Sequence, residues 1–181
     1  MIYKHSDLLE KYKNRYQIAK ALKNKEIYKI DNGLYSNEPN PSEIEILTKK
    51  YPNAVFTMDT AFYVHDLTDV IPRKYQLAIN RKTRKIDHPK VETYFNHENF
   101  FDIGKTQITI NGGIIINVYD KERMLIELVR NKKKIPYDYY KEIINNYREI
   151  ADTLEVRKVQ KYLKHFKFSD SIFKTIRNEV Y

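Results

Sequence analysis

Four side chains that could do chemistry crowd into one stretch, AVFTMDTAFYVHDLTDVIPRKYQLAIN at residues 54–80: Asp59, His65, Asp66 and Asp69. Carboxylates beside an imidazole could ligate a divalent metal or form a general acid–base pair. The spacing argues against both. Met58, Ala61, Phe62 and His65 fall at i, i+3, i+4 and i+7, one face of a helix, which sets the imidazole among apolar neighbours. Asp59 and Asp66 lie one position round and point to solvent or a helix end. The expected state of His65 is a core histidine with one ring nitrogen tied to a backbone or hydroxyl partner. His97 beside Glu98, and His5, are isolated. The sequence has no P-loop, no Gly-rich dinucleotide turn, no Gly-x-Ser-x-Gly elbow and no His-Glu-x-x-His pair. It also has no cysteine, which removes thiol chemistry and Cys-ligated metals. The expectation is a protein with no catalytic residues, no metal and no cofactor.

The elements around this stretch define the larger domain. A strand ending at Phe56 passes through Thr57, a good N-cap, into the short helix, and Pro72 stops anything helical. Residues 75–80 then alternate, Leu77 and Ile79 against Gln76, Ala78 and Asn80, as a half-buried strand does. Further strands are predicted at 91–95, 106–110 and 114–119, the last two joined by Asn111-Gly112-Gly113. The run Ile114-Ile115-Ile116 suggests a strand covered on both faces. A helix follows from Lys121 with Met124, Leu125 and Leu128 inward, and Glu122-Arg123 reads as a structural ion pair or a cap. The tail carries three helical stripes: Tyr140, Ile143, Ile144 and Tyr147; Val156, Val159, Leu163 and Phe166; then Ile172, Phe173, Ile176 and Val180, with Ser169 as a cap.

Residues 5–36 read as helix, turn, helix and hairpin. Ser6 can cap a first helix with Leu8 and Leu9 inward, and a second helix runs from the polar turn at Lys13-Asn14 to about Asn24. Its buried face is Ile18, Ala21 and Leu22. The opposite face carries Lys13, Tyr16, Gln17, Lys20 and Lys23. Asn32-Gly33 between two short apolar runs is a strong hairpin signal. Two helices and a wing make a winged helix-turn-helix, whose second helix enters the major groove. The candidate DNA-binding residues are Lys13, Arg15, Tyr16, Gln17, Lys20, Lys23, Lys29 and Asn32. The competing account is a helical hairpin with a solvated basic face. Residues 36–39 form a polar, Pro-containing joint, and Asn40-Pro41-Ser42-Glu43 begins a helix with Ile44, Leu47 and Tyr51 on one face. The expected domains are therefore 1–36 and 40–181. The fold class is α+β: a winged module, then an α/β domain with a mixed sheet and a helical tail.

The formal charge of +9 and a pI near 9.4 favour a polyanionic partner. A secondary basic patch comprises Arg73, Lys74, Arg81, Lys82, Arg84 and Lys85, either touching phosphate or forming a solvated loop. No apolar run approaches the roughly 18 residues of a membrane span, and the N-terminus shows no signal-peptide core. A cytoplasmic protein with no membrane partner is expected.

Three segments in order resemble one family. TMDTAFYVHDLTDVIP at 57–72 is similar to the pattern of the AbiEi-type antitoxins, where a small helix ends in His-x-Leu-Thr and a Pro before a strand. Asp31-Asn32-Gly33-Leu34-Tyr35 and YDKERMLIELVR at 119–130 match further parts of that pattern. The resemblance implies the antitoxin of a type IV toxin–antitoxin system linked to phage defence. Its winged module would bind inverted repeats in its own promoter and repress the operon. Its larger domain would counter a nucleotidyltransferase-like toxin without a stable complex. Two features depart from the pattern: the family's winged modules usually carry a helix before these two, and a basic wing tip is replaced here by Asp31 beside Asn32. The alternative is a stand-alone regulator whose larger domain senses a ligand or a partner protein.

Overall fold

The computed structural model describes residues 1–181 apart from the side chain of Asn111. The chain is α+β and divides into two compact units, Met1–Pro52 and Asn53–Tyr181. In the first, β1 (Ile2–Lys4), α1 (His5–Tyr12), α2 (Arg15–Lys23), β2 (Tyr28–Asp31), β3 (Leu34–Ser36) and α3 (Glu43–Lys50) follow one another. The strands form an antiparallel sheet in the order β1-β3-β2, with Tyr3 opposite Tyr35 and Lys29 opposite the same residue from the other side. Its core is Leu8, Ile18, Ala21 and Ile27, with Tyr3, Leu9, Tyr12, Leu22 and Tyr35 packed around them.

The second unit is built on a mixed five-stranded sheet. Its strands are β4 (Val55–Phe56), β5 (Tyr75–Asn80), β6 (Val91–Asn96), β7 (Lys105–Ile110) and β8 (Ile114–Tyr119). The order is β6-β5-β4-β8-β7, with β4–β8 and β5–β6 parallel and β4–β5 and β7–β8 antiparallel. The helices are α4 (Met58–Val64), α5 (Glu98–Phe101), α6 (Lys121–Arg130), α7 (Tyr137–Glu149), α8 (Val156–Leu163) and α9 (Ser169–Glu179). Helix α6 packs against α4, α8 and α9, and every residue from Glu122 to Leu128 is buried.

Several expectations change on packing. The boundary falls at Pro52/Asn53 rather than at 36–40, because α3 packs on β1 with Leu47 fully buried and Ile44 nearly so. Helix α3 starts at Glu43, and Ser42 precedes it without a side-chain cap. Strand β1 had no signal in the sequence. Lys4, not Ser6, caps α1, with the Asp7 carboxylate accepting the Lys4 N–H at 2.9 Å. Strand β5 is buried on both faces from Gln76 to Ile79, since α4 and α5 pack on it and Gln76 finds polar partners inside. The isoleucine run is covered on one face only: Ile115 is 57% exposed while Ile116 is buried. Phe168, not Ser169, holds the N-cap position of α9.

Candidate nucleic-acid interface

The turn between α1 and α2 is closed by a left-handed residue followed by a capping asparagine. Lys13 ends α1 in the left-handed region, φ 66°, with its N–H on Leu9 O at 2.8 Å. Asn14 then caps α2, its Oδ1 accepting the Gln17 N–H at 2.9 Å. This fixes the helical phase, so that Ile18 and Ala21 enter the core and the other side faces out. All eight candidate residues, Lys13, Arg15, Tyr16, Gln17, Lys20, Lys23, Lys29 and Asn32, are exposed. Tyr16 is 75% exposed, a large ring with nothing laid over it. Helix α2 contains no acidic residue, and among the described residues none of Lys13, Arg15, Lys20, Lys23 or Lys29 has an ion-pair partner.

The hairpin turns through Gly33 at φ 73°, where a β-carbon would meet nothing but would adopt a strained backbone. A register shift between Lys29 and Asp31 bends β2. Asp31 does not present a free negative charge beside Asn32. Lys50 on α3 donates to its Oδ2, and that hydrogen bond raises the Lys50 pKa above its ordinary value. Lys49 pairs likewise with Asp7 at 3.1 Å. Asp7 and Asp31 are thus drawn toward α3, while among the described residues the α2 cations have no ion-pair partner.

The secondary basic patch does not assemble as one surface. Arg73 and Lys74 border a cavity of about 760 Å³ whose wall includes Asp59, Gln76, Glu92, Tyr94 and Tyr139. Arg81 instead donates from Nη1 to His97 Nε2 at 2.8 Å, and Lys82 pairs with Glu98 at 2.5 Å. Arg84 and Lys85 are exposed in the loop that follows.

The acid–imidazole constellation does not assemble either. His65 is buried just past α4, and its Nε2 lies 2.7 Å from the Tyr119 carbonyl. That is the backbone partner the helical phase predicts. Burial holds its pKa below the ordinary value, so the ring is neutral and Nε2 carries the donated proton. Asp66 and Asp69 are exposed. Asp59 turns to the cavity instead, where Gln76 Nε2 donates to its Oδ2 at 3.1 Å and to Glu92 Oε2 at 3.2 Å. Burial first, and Glu92 nearby, push the Asp59 pKa up. Burial likewise pushes Tyr94 up to about 12. Among the described residues, no three His, Asp or Glu side chains are grouped to hold a metal ion.

Sequence reasoning missed the most heavily bonded side chain in the unit. Arg123 is 0% exposed. Its Nε and Nη2 donate to Glu127 Oε1 at 3.1 and 2.8 Å, and Nη1 donates to the carbonyls of Phe100 and Ile103. The guanidinium lies 4.8 Å from the Tyr119 ring centre and 4.6 Å from that of Phe166. The partner of Arg123 is therefore Glu127, one turn on, and not the adjacent Glu122. Glu122 belongs to a second group in which Lys158 lies 3.2 Å from it and 3.1 Å from Asp120. Each guanidinium nitrogen of Arg123 donates inside the protein, as a structural role requires. The i, i+4 spacing of Arg123 and Glu127 was the available signal.

No protein-family model matches the chain, and no curated protein matches it. Among the described residues, no helix is long and apolar enough to cross a membrane.

Proposed function

We propose that the protein binds duplex DNA through residues 1–52, with α2 in the major groove and the β2–β3 hairpin against the backbone as a wing. The observation that supports this reading is the outer face of α2: cations without carboxylate partners around an exposed Tyr16 and Gln17. Such a face gains by neutralising phosphate, and the two uncharged side chains can reach base edges. Following the AbiEi-type resemblance, this module represses its own promoter at inverted repeats. The rest of the chain then counters a nucleotidyltransferase-like toxin without forming a stable complex with it. On this reading the protein acts by binding, in the cytoplasm, and not as an enzyme.

Gel shifts with the region upstream of its gene test the first step. Binding at micromolar protein or below is expected, with log affinity falling linearly in log salt at roughly −0.9 per phosphate contact. Lys20→Ala should weaken binding to all sequences alike. Gln17→Ala should cost about 1–3 kcal/mol mainly at one base pair. Retardation that ignores salt would sink the assignment. Co-expression with the adjacent gene product tests the antitoxin step, and a neighbour whose toxicity this protein leaves untouched counts against it.

The second reading is a stand-alone regulator that senses a small ligand, and the cavity beside Asp59 favours it. About 760 Å³ with several convergent polar groups is the size of small-molecule sites. Under that reading a ligand filling the cavity would change operator affinity, and toxin rescue would be absent.

A further inference from the structure

The second unit holds a groove that the reading above leaves unused. It is about 1010 Å³ in volume and is lined by the start of α5, the end of α6, the turn 132–134, the segment after α8 and one side of α9 from Ser171 to Glu179. Five cations line it, Arg130, Lys132, Lys133, Lys134 and Lys167, against one carboxylate, Glu179. That carboxylate is already engaged: Lys132 Nζ donates to Oε1 and the Tyr140 hydroxyl to Oε2, each at 2.5 Å. Arg130 is held by Glu127 at 2.9 Å. Lys133, Lys134 and Lys167 have no ion-pair partner among the described residues.

Beside these cations stands Phe168, 82% exposed. A lone exposed apolar side chain is ordinary. This one also has φ 61° and ψ 31°, a left-handed backbone that a non-glycine residue adopts at a cost, and it gains no burial in return. No side chain caps the α9 terminus that it precedes. The two rings deeper in the groove are already matched. Phe100 and Phe166 stack at 5.7 Å and 20°, and the Arg130 guanidinium lies 4.7 Å from the Phe166 centre. Among the described residues no ring or cation covers Phe168. Also on the lining, His97 meets Phe100 edge-on at 5.8 Å and accepts from Arg81.

We propose that this groove binds single-stranded nucleic acid, with a base stacked on Phe168 and phosphates on Lys133, Lys134 and Lys167. A free cationic wall needs a polyanion. A solvent-facing ring beside it needs an exposed π-face, and unpaired bases offer both together. Duplex bases are stacked on one another and leave Phe168 uncovered. An acidic peptide answers the lysines but not the ring. A flat anionic membrane would take the ring but could not enter a groove whose walls carry the lysines.

Fluorescence anisotropy of the full chain with labelled uridine or thymidine oligonucleotides of about 12 residues tests this. Binding to either supports the proposal. Phe168→Ala should weaken it roughly five-fold or more, the fold-change of one lost stack, and Phe168→Trp should restore it. Lys133→Glu with Lys134→Glu should also weaken it, and should flatten the log–log salt slope by roughly 0.7 per lost phosphate contact. All of these positions are exposed, so thermal unfolding should stay unchanged. The site is separate from the duplex-DNA reading: Lys20→Ala should leave oligonucleotide binding intact, and Phe168→Ala should leave promoter binding intact. Equal oligonucleotide affinity in wild type and in both groove variants overturns the proposal. So does groove-dependent binding to anionic vesicles or to polyglutamate with none to oligonucleotides.

Discussion

The imidazole of His65 donates through Nε2 to the Tyr119 carbonyl, inside a core where that carbonyl has no water to replace it. Removing the donor leaves a buried acceptor unsatisfied, at about 1–3 kcal/mol. His65→Ala should therefore lower the melting temperature and weaken every activity in proportion to the folded fraction. A stable variant that has lost one activity alone would reopen a catalytic role. Because burial keeps the folded pKa below 6.5, the unfolded chain binds the proton more tightly. The stability His65 contributes is complete above about pH 6.5 and is lost as the pH falls from there toward the folded-state pKa. Unfolding by urea at several pH values should show this component in the wild type and lack it in His65→Gln. Gly104 makes a sharper steric case. A β-carbon there would lie 2.4 Å from Arg123 Cβ, at φ 74°. Gly104→Ala should cost about 1–3 kcal/mol from overpacking alone. A melting temperature equal to wild type would show that Arg123 is free to move.

Helix α6 owes its burial to charge compensation as much as to apolar residues. Met124, Leu125, Ile126 and Leu128 cover more of its circumference than one amphipathic face would. The remaining positions, Glu122, Arg123 and Glu127, enter the interior only because each has a partner there. A buried guanidinium stripped of its carboxylate is expensive, about 3–5 kcal/mol. Glu127→Gln should destabilise the protein by an amount of that order in denaturant titrations. Arg130→Ala removes only a half-exposed arm of the same network and should cost under about 1 kcal/mol. Comparable losses in the two variants would mean that Arg123 is held by its carbonyl contacts alone. In α2 the opposite logic holds: among the described residues its cations have no ion-pair partner, and in the proposed reading they contribute to DNA binding and not to folding.

The division at Pro52/Asn53 makes α3 part of the first unit, and this sets how the chain can be cut. A fragment of residues 53–181 should be soluble and unfold cooperatively, with no affinity for the promoter. A fragment of 1–52 should fold and retain DNA binding. Cutting at residue 36 instead removes the helix that buries Leu47 and Ile44 and that carries Lys49 and Lys50 to Asp7 and Asp31. The 1–36 fragment should lose cooperative unfolding, as monitored by circular dichroism. Full stability of 1–36 would return the boundary to the polar joint.

What the sequence determined by itself was local. The phase of α2, the turn at Asn14, the hairpin at Gly33 and the burial of His65 rest on interactions within a few residues, and periodicity reports those directly. The exposed candidate face of α2 was legible for the same reason. Tertiary structure decided the rest. Which partner His65 takes, 54 positions away, depends on β8 lying beside α4. Whether β5 is covered on one face or two depends on the helices that pack on the sheet, here α4 and α5. The groove beside Phe168 needs segments from α5 to α9 brought together, and in sequence its lysines look like any solvated turn. A pattern along the chain can state which face of an element is apolar. It cannot state what that face meets, because that is settled by packing between residues far apart in sequence.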